Sequence, residues 1–90
     1  MTIENIRKEI DRIDYEIIKL LSRRHSFVKQ ASLFKNSEKD VKAENRVKEV
    51  FETRKNWAKD FDLDPDFIEM LYKTIINYFI AREMEEFNKK

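Results

Sequence analysis

The chain contains no glycine and only one proline, Pro65. Tight hairpin turns depend on residues that accept positive backbone φ angles, and glycine accepts them most readily. Strand hairpins are therefore poorly supported. Charged residues and apolar residues each make up 41% of the chain, a balance typical of amphipathic helices. These features predict an all-α protein.

Ninety residues suffice for one small domain, and we expect residues 1–90 to form it. A chain of this size buries a modest fraction of its surface, so a partner chain would add to its core. The net charge of +1 provides no basic excess for nucleic acid. Cysteine is absent and His25 is the only histidine, which argues against disulfides, thiolate chemistry and a His-rich metal site.

The hydropathy pattern argues against a membrane partner. No apolar run is long enough for a transmembrane helix. The first five residues lead directly into a charged helix, without the pattern of a signal peptide. We therefore expect a cytoplasmic protein.

Apolar residues recur every three or four positions, as on one face of a helix. The pattern predicts helices over residues 3–35, 44–59 and 65–87, with a loop over 36–43. Thr2 and Asp64 suit N-caps, and Pro65 suits a first helical turn. The first helix would be about 50 Å long. The rest of a 90-residue chain cannot cover a helix of that length, so part of its apolar stripe must pack against something else. That stripe comprises Ile6, Ile10, Ile13, Ile17, Leu20, Leu21, Val28 and Ala31.

Two cations lie on this stripe, which runs on from Leu20 through Arg24, Val28 and Ala31 to Lys35. Arg24 could pair with a glutamate or extend its charged end into solvent, and Lys35 could be a helix-end cation favoured by the dipole. An apolar wall that carries an arginine and a lysine also suits a small ligand with carboxylate groups.

Arg7 is a third candidate cation. It lies 17 positions before Arg24, about 25 Å along a straight helix, so the two cannot reach one small ligand from the same chain. Arg7 could meet the Arg24 of a second chain if the two first helices cross antiparallel. It could also be a solvated surface arginine.

Three other polar side chains, Arg46, Glu83 and His25, are interpreted separately. Arg46 opens the second helix, where the dipole does not favour a cation, so a ligand carboxylate or an ion pair with Glu44 or Glu49 would account for it. Glu83 extends the apolar face of the third helix, either as a buried hydrogen-bonding group or as a solvated carboxylate. His25 points off the stripe, and we expect no catalytic role for it.

Four stretches resemble the all-helical chorismate mutase family: IRKEIDRIDYEIIKLLSRR, FVKQASLFK, ENRVKEVF and LDPDFIEMLYKTIINYFI. The resemblance covers about residues 3–87. Within the family, the closest likeness is to the isochorismate pyruvate lyases of salicylate biosynthesis, through RR..FVK.AS.FK, R..WA and II.YFIA. The resemblance implies an intertwined homodimer of three-helix chains with two identical active sites.

The resemblance also implies residue roles. Arg24 matches the main carboxylate-binding arginine, and Arg7 matches the arginine that reaches across from the partner chain. Lys35 matches the lysine that contacts the ether oxygen and a carboxylate, and Arg46 matches a supporting arginine. Glu83 falls where most bacterial members carry a glutamine that donates to the ether oxygen. The predicted pocket also includes the apolar residues Val28, Val47 and Ile80.

The implied reaction is the elimination of pyruvate from the dicarboxylate isochorismate, giving salicylate. Chorismate mutase activity, which converts chorismate to prephenate, is a side reaction or the alternative main activity. Both reactions are pericyclic and need no metal or cofactor. The enzyme holds a reactive conformer and stabilises charge on the ether oxygen. A non-catalytic binding or regulatory protein is a further alternative, against which the intact set Arg7, Arg24 and Lys35 argues.

Two positions depart from the mutase pattern. Mutases carry a glutamate directly after the helix 2 arginine, where it binds the 4-hydroxyl of chorismate, whereas this chain has Val47. Isochorismate carries its hydroxyl at C2, so Val47 favours the lyase. The second departure is Glu83, which can donate to the ether oxygen only when protonated. The interpretation therefore predicts an activity that rises toward acidic pH.

Overall fold

The computed structural model describes residues 1–89 and contains four helices within that range. They are α1 (Ile3–Ser32), α2 (Glu38–Lys42), α3 (Glu44–Asp60) and α4 (Pro65–Asn88). No strand occurs between residues 1 and 89, and no helix there has the length and apolar content needed to cross a membrane. The prediction of an all-α fold with a long, a medium and a long helix is confirmed, and α2 is additional.

Both predicted N-caps are confirmed. The backbone N–H of Asn5 donates to Thr2 Oγ1 over 3.2 Å at the start of α1. The N–H of Asp66 donates to Asp64 Oδ1 over 2.9 Å at the start of α4, where Pro65 takes the first helical position. Each bond satisfies a donor that the first helical turn leaves without an intrahelical partner.

The end of α1 differs from the prediction of residue 35. The helix ends at Ser32. The N–H of Lys35 then donates to the Ser32 carbonyl over 3.1 Å, which closes a tighter turn than that of an α-helix. Ser37 Oγ then accepts from the N–H of Asp40, and Asp40 Oδ2 accepts from the N–H of Asn36, both over 3.1 Å. This reciprocal arrangement resembles a capping box and starts α2. The prediction of a loop over residues 36–43 is therefore wrong for the five residues of α2.

Two junctions use positive φ angles without glycine: Ala43 (φ 43°) ends α2, and Asp62 (φ 59°) follows α3. After α3, the N–H of Leu63 donates to the Ala58 carbonyl over 2.8 Å, and the N–H of Asp62 donates to the Lys59 carbonyl over 3.3 Å. These two bonds form a Schellman motif. Aspartate tolerates this conformation better than most residues because its short side chain can hydrogen-bond locally.

The chain divides into two compact units, residues 1–31 and the residues from 32 onward. In the first unit, α1 has no buried residue. In the second unit, α2 and α3 pack against α4. The core of the second unit contains four buried apolar side chains: Val41, Val50, Ala58 and Ile76.

An exposed ion pair also links α3 to α4, with Lys55 Nζ 3.1 Å from Glu69 Oε2. The hydrogen bond with Glu69 and its negative charge raise the pKa of Lys55. Because both side chains are well solvated, the pair contributes little to stability.

Candidate active site

The clearest charged contact between candidate residues joins Lys35 to Glu83. Lys35 Nζ lies 2.8 Å from Glu83 Oε2, and the two residues are 48 positions apart in the sequence. The side chains are 20% and 11% exposed. Three other ion pairs have side chains that are 36% to 72% exposed, so solvent screens the contact between Lys35 and Glu83 much less.

Glu83 belongs to the apolar face of α4. It lies three residues after Ile80, which is half-buried, and seven after Ile76, which is part of the core. This spacing places the three side chains on one side of the helix. Of the two interpretations of Glu83, the structure therefore supports the buried hydrogen-bonding group over the solvated carboxylate.

Lys35 reaches this face from outside α1. The sequence predicted that Lys35 would extend the stripe of the first helix, and this is wrong because α1 ends three residues earlier, at Ser32. The turn that follows, closed by the hydrogen bond from Lys35 N–H to Ser32, carries the lysine side chain to α4. The ammonium can donate three hydrogen bonds, one of which goes to Glu83.

Arg46 forms a local contact on α3. Its Nη1 donates to Glu49 Oε1, and both side chains are more than half exposed. This is one of the two ion pairs that the sequence offered as an alternative to a ligand carboxylate. Exposed pairs at this helical spacing stabilise a helix by only about 0.2–0.5 kcal/mol, so Arg46 could exchange Glu49 for another anion at small cost. The next residue, Val47, is half-buried.

The remaining candidates lie on α1. Arg24 and Val28 are half-buried, whereas Arg7 is exposed. Arg7 and Arg24 stay 17 positions apart on one continuous helix, so the statement that they cannot share one small ligand within a chain holds. Their roles in a site remain predictions.

Arg54 forms a cluster with two aromatic rings that the sequence analysis does not predict. The Arg54 guanidinium carbon lies 4.5 Å from the centre of the Trp57 ring on α3 and 5.8 Å from the Tyr72 ring on α4. Its Nη1 donates to Thr53 Oγ1 over 2.9 Å. Cations at these distances from aromatic rings are held by the ring quadrupole. The i, i+3 spacing of Arg54 and Trp57 was the available signal, and the cluster joins α3 to α4 instead of forming part of the candidate site.

Metal-ligand clusters do not occur in the described part of the chain. Across residues 1–89, no group of three or more histidine, aspartate or glutamate side chains is placed to hold a metal ion. The charged candidates for the site are arginine, lysine and glutamate side chains.

The described residues thus combine an all-α fold with a half-buried lysine–glutamate pair. The family model of chorismate mutase type II matches residues 6–84. The chain belongs to this family. It is also 41% identical over 83 residues to isochorismate pyruvate lyase from Pseudomonas aeruginosa, an alignment that covers 92% of this chain and 82% of that protein. The sequence-based prediction of this enzyme family is confirmed.

Proposed function

We propose that this protein is an isochorismate pyruvate lyase that converts isochorismate to salicylate and pyruvate. The observation that carries the proposal is the 41% identity to the Pseudomonas aeruginosa lyase over nearly the whole chain. The direct test is to incubate the purified protein with isochorismate and to quantify salicylate by fluorescence and pyruvate separately. The proposal requires the two products in equal amounts.

The reaction is a rearrangement of bonds within one molecule. The ether carbon–oxygen bond breaks while a hydrogen moves from C2 of the ring to the methylene carbon of the enolpyruvyl group. The ring becomes aromatic as salicylate, and the side chain leaves as pyruvate. No water, oxidant or covalent enzyme intermediate enters the balance. Catalysis therefore depends on holding the reactive conformer and on stabilising negative charge at the ether oxygen.

We assign the binding of the two carboxylates to arginines. Arg24 would bind one carboxylate from the half-buried side of α1, and Arg7 would bind from the partner chain. Lys35 would donate to the ether oxygen and to a carboxylate, with Arg46 in a supporting role. The support is the match of these positions to the family pattern and, for Lys35, its half-buried ammonium. Val28, Val47 and Ile80, all half-buried, would form the apolar wall.

Val47 is the residue that we assign to substrate preference. Changing Val47 to glutamate should raise kcat/KM for chorismate relative to isochorismate by roughly 10- to 100-fold, because a hydrogen bond to a charged group contributes about 1.5–3 kcal/mol. Assays of both substrates measure the ratio. Lys48→Glu is the matched control, since it adds a carboxylate at the exposed neighbouring position. An equal ratio in the two variants would show that position 47 does not face the substrate hydroxyl.

We further propose that the active enzyme is a homodimer built on α1. The support is the apolar stripe of this helix, where Ile6, Ile10, Ile13, Ile17 and Leu20 are each 41% to 58% exposed. A second exposed row runs along α4, through Phe67, Met70, Leu71 and Tyr78. Exposed apolar faces of this length mark protein interfaces. A second copy of this chain supplies complementary faces of the same length, and an antiparallel crossing would bring Arg7 of one chain toward Arg24 of the other.

The proposed dimer can be tested by the molecular mass of the protein in solution. The wild-type protein should sediment at twice the chain mass of 11.1 kDa, and Ile13→Glu should sediment as a monomer, because the new charge would be buried in the interface. Tyr15→Glu is the control, since Tyr15 is 69% exposed and lies on the opposite side of α1. Analytical ultracentrifugation measures all three proteins. A dimeric Ile13→Glu protein would contradict an interface on this stripe.

Chorismate mutase activity is the second candidate. It is favoured by the family model, which describes chorismate mutases and spans most of the chain. A role in salicylate biosynthesis, a cytoplasmic location and the organisation of residues 1–90 as one domain remain predictions.

A further inference from the structure

We propose that Glu83 holds Lys35 in a self-inhibitory contact, in which the Glu83 carboxylate competes with an anionic ligand for the lysine ammonium. The inference rests on the proposed function, because that function assigns Lys35 to the substrate. In the structure, the ammonium has an anionic partner at 2.8 Å. A substrate carboxylate would therefore compete with the Glu83 carboxylate at Lys35.

The same contact fastens a segment of the chain to α4. Lys35 precedes α2 by three residues, and the segment from 33 to 43 contacts α4 at two anchors. One anchor is the contact between Lys35 and Glu83. The other is Val41 of α2, which is only 3% exposed, and α2 packs on α4. Between the anchors, the side chains of Ser37 and Asp40 accept hydrogen bonds that cap the start of α2. Release of Lys35 would therefore loosen α2, which would keep only its own packing on α4.

The charges and burial explain why the contact is favourable. The Glu83 side chain is only 11% exposed, so its carboxylate has little contact with water and gains from a hydrogen-bond donor. Lys35 supplies that donor as a charge-assisted hydrogen bond. A neutral glutamine at position 83 would form a weaker contact and would leave the ammonium more available to a ligand. The identity of residue 83 would thus set how strongly the resting protein competes with its own substrate.

Hydrogen exchange of the protein without added ligand tests the tether, by which we mean the attachment of α2 to α4 through Lys35 and Glu83. The N–H groups of Val41 and Ala43 are bonded to carbonyls of Ser37 and Lys39, so their exchange reports opening of α2. In Glu83→Gln, we expect these two amides to exchange about fivefold faster or more, whereas core amides of α4 such as Ile76 keep their wild-type rates. Glu85→Gln, which removes an exposed carboxylate from the same helix, is the control and should change neither set.

Salicylate affinity tests the competition. Glu83→Gln should bind salicylate about fivefold more tightly than the wild type or Glu85→Gln, because the ligand no longer displaces an ionised partner. Unchanged exchange at Val41 and Ala43, or equal salicylate affinity in all three proteins, would overturn the proposal. Turnover of isochorismate by the same proteins separates the two claims. Faster α2 exchange with no turnover in any of them would contradict the proposed function alone, and normal turnover with unchanged exchange would contradict the tether alone.

Discussion

Replacing Arg24 with alanine should lower kcat/KM for isochorismate by about 10³-fold, because removing a preorganised donor from a water-poor site typically has an effect of that size. Arg23→Ala is the matched control, since it deletes the same charge from the adjacent, exposed position. We expect that variant to retain activity within about threefold, as is usual for a surface change. Steady-state kinetics on isochorismate measures both effects. Equal losses in the two variants would show that activity depends on net charge and that Arg24 has no specific role in binding the substrate.

Mixing variants shows whether the two arginines of one site come from different chains. Arg7→Ala and Arg24→Ala should each be nearly inactive alone. In a homodimer with sites shared across the interface, one site of every mixed dimer contains an intact Arg24 and an intact Arg7. After random exchange of subunits, half of the dimers are mixed, so about a quarter of wild-type activity should return. No recovery after verified exchange would show that Arg7 of one chain and Arg24 of the other do not combine in one site.

The second large effect concerns Glu83. Replacing it with glutamine should raise kcat/KM for isochorismate at pH 7.5 by about tenfold, because an amide N–H can donate to the ether oxygen where negative charge develops. The amide would also release Lys35 from the ion pair that the carboxylate forms with it. Steady-state kinetics on isochorismate measures the change.

Glu85→Gln is the matched control, since it makes the same change at an exposed carboxylate of the same helix. We expect that variant to keep the wild-type rate. A Glu83→Gln rate no higher than that of the wild type would show that position 83 does not donate to the ether oxygen.

Local sequence signals predicted most of the helices. The three- and four-residue spacing of apolar side chains gave all three long helices, and the hydrogen bonds at Thr2 and Asp64 confirm the caps assigned from residue type. These features depend on interactions within one or two turns, which the sequence alone contains. The pairing of Arg46 with Glu49 is local in the same sense, and it is one of the two ion pairs that the sequence predicts for Arg46.

Features set by packing between helices were missed. The short helix α2 is held by burial of Val41 against α4, and nothing in the apolar spacing of a five-residue segment indicates that. The contact between Lys35 and Glu83 joins residues 48 positions apart, so only the fold brings them together. The early end of α1 moved Lys35 off the predicted stripe, and a chain without glycine still formed two turns with positive φ at Ala43 and Asp62.

The central claim is that isochorismate, and not chorismate, is the preferred substrate. The most direct measurement is the ratio of kcat/KM for the two compounds at pH 5.5, with salicylate fluorescence and loss of chorismate absorbance as the readouts. A ratio well above one, with salicylate formation abolished in Arg24→Ala, is the result that we predict. A ratio below one, with prephenate as the main product, would make the protein a chorismate mutase and would contradict the role assigned to Val47.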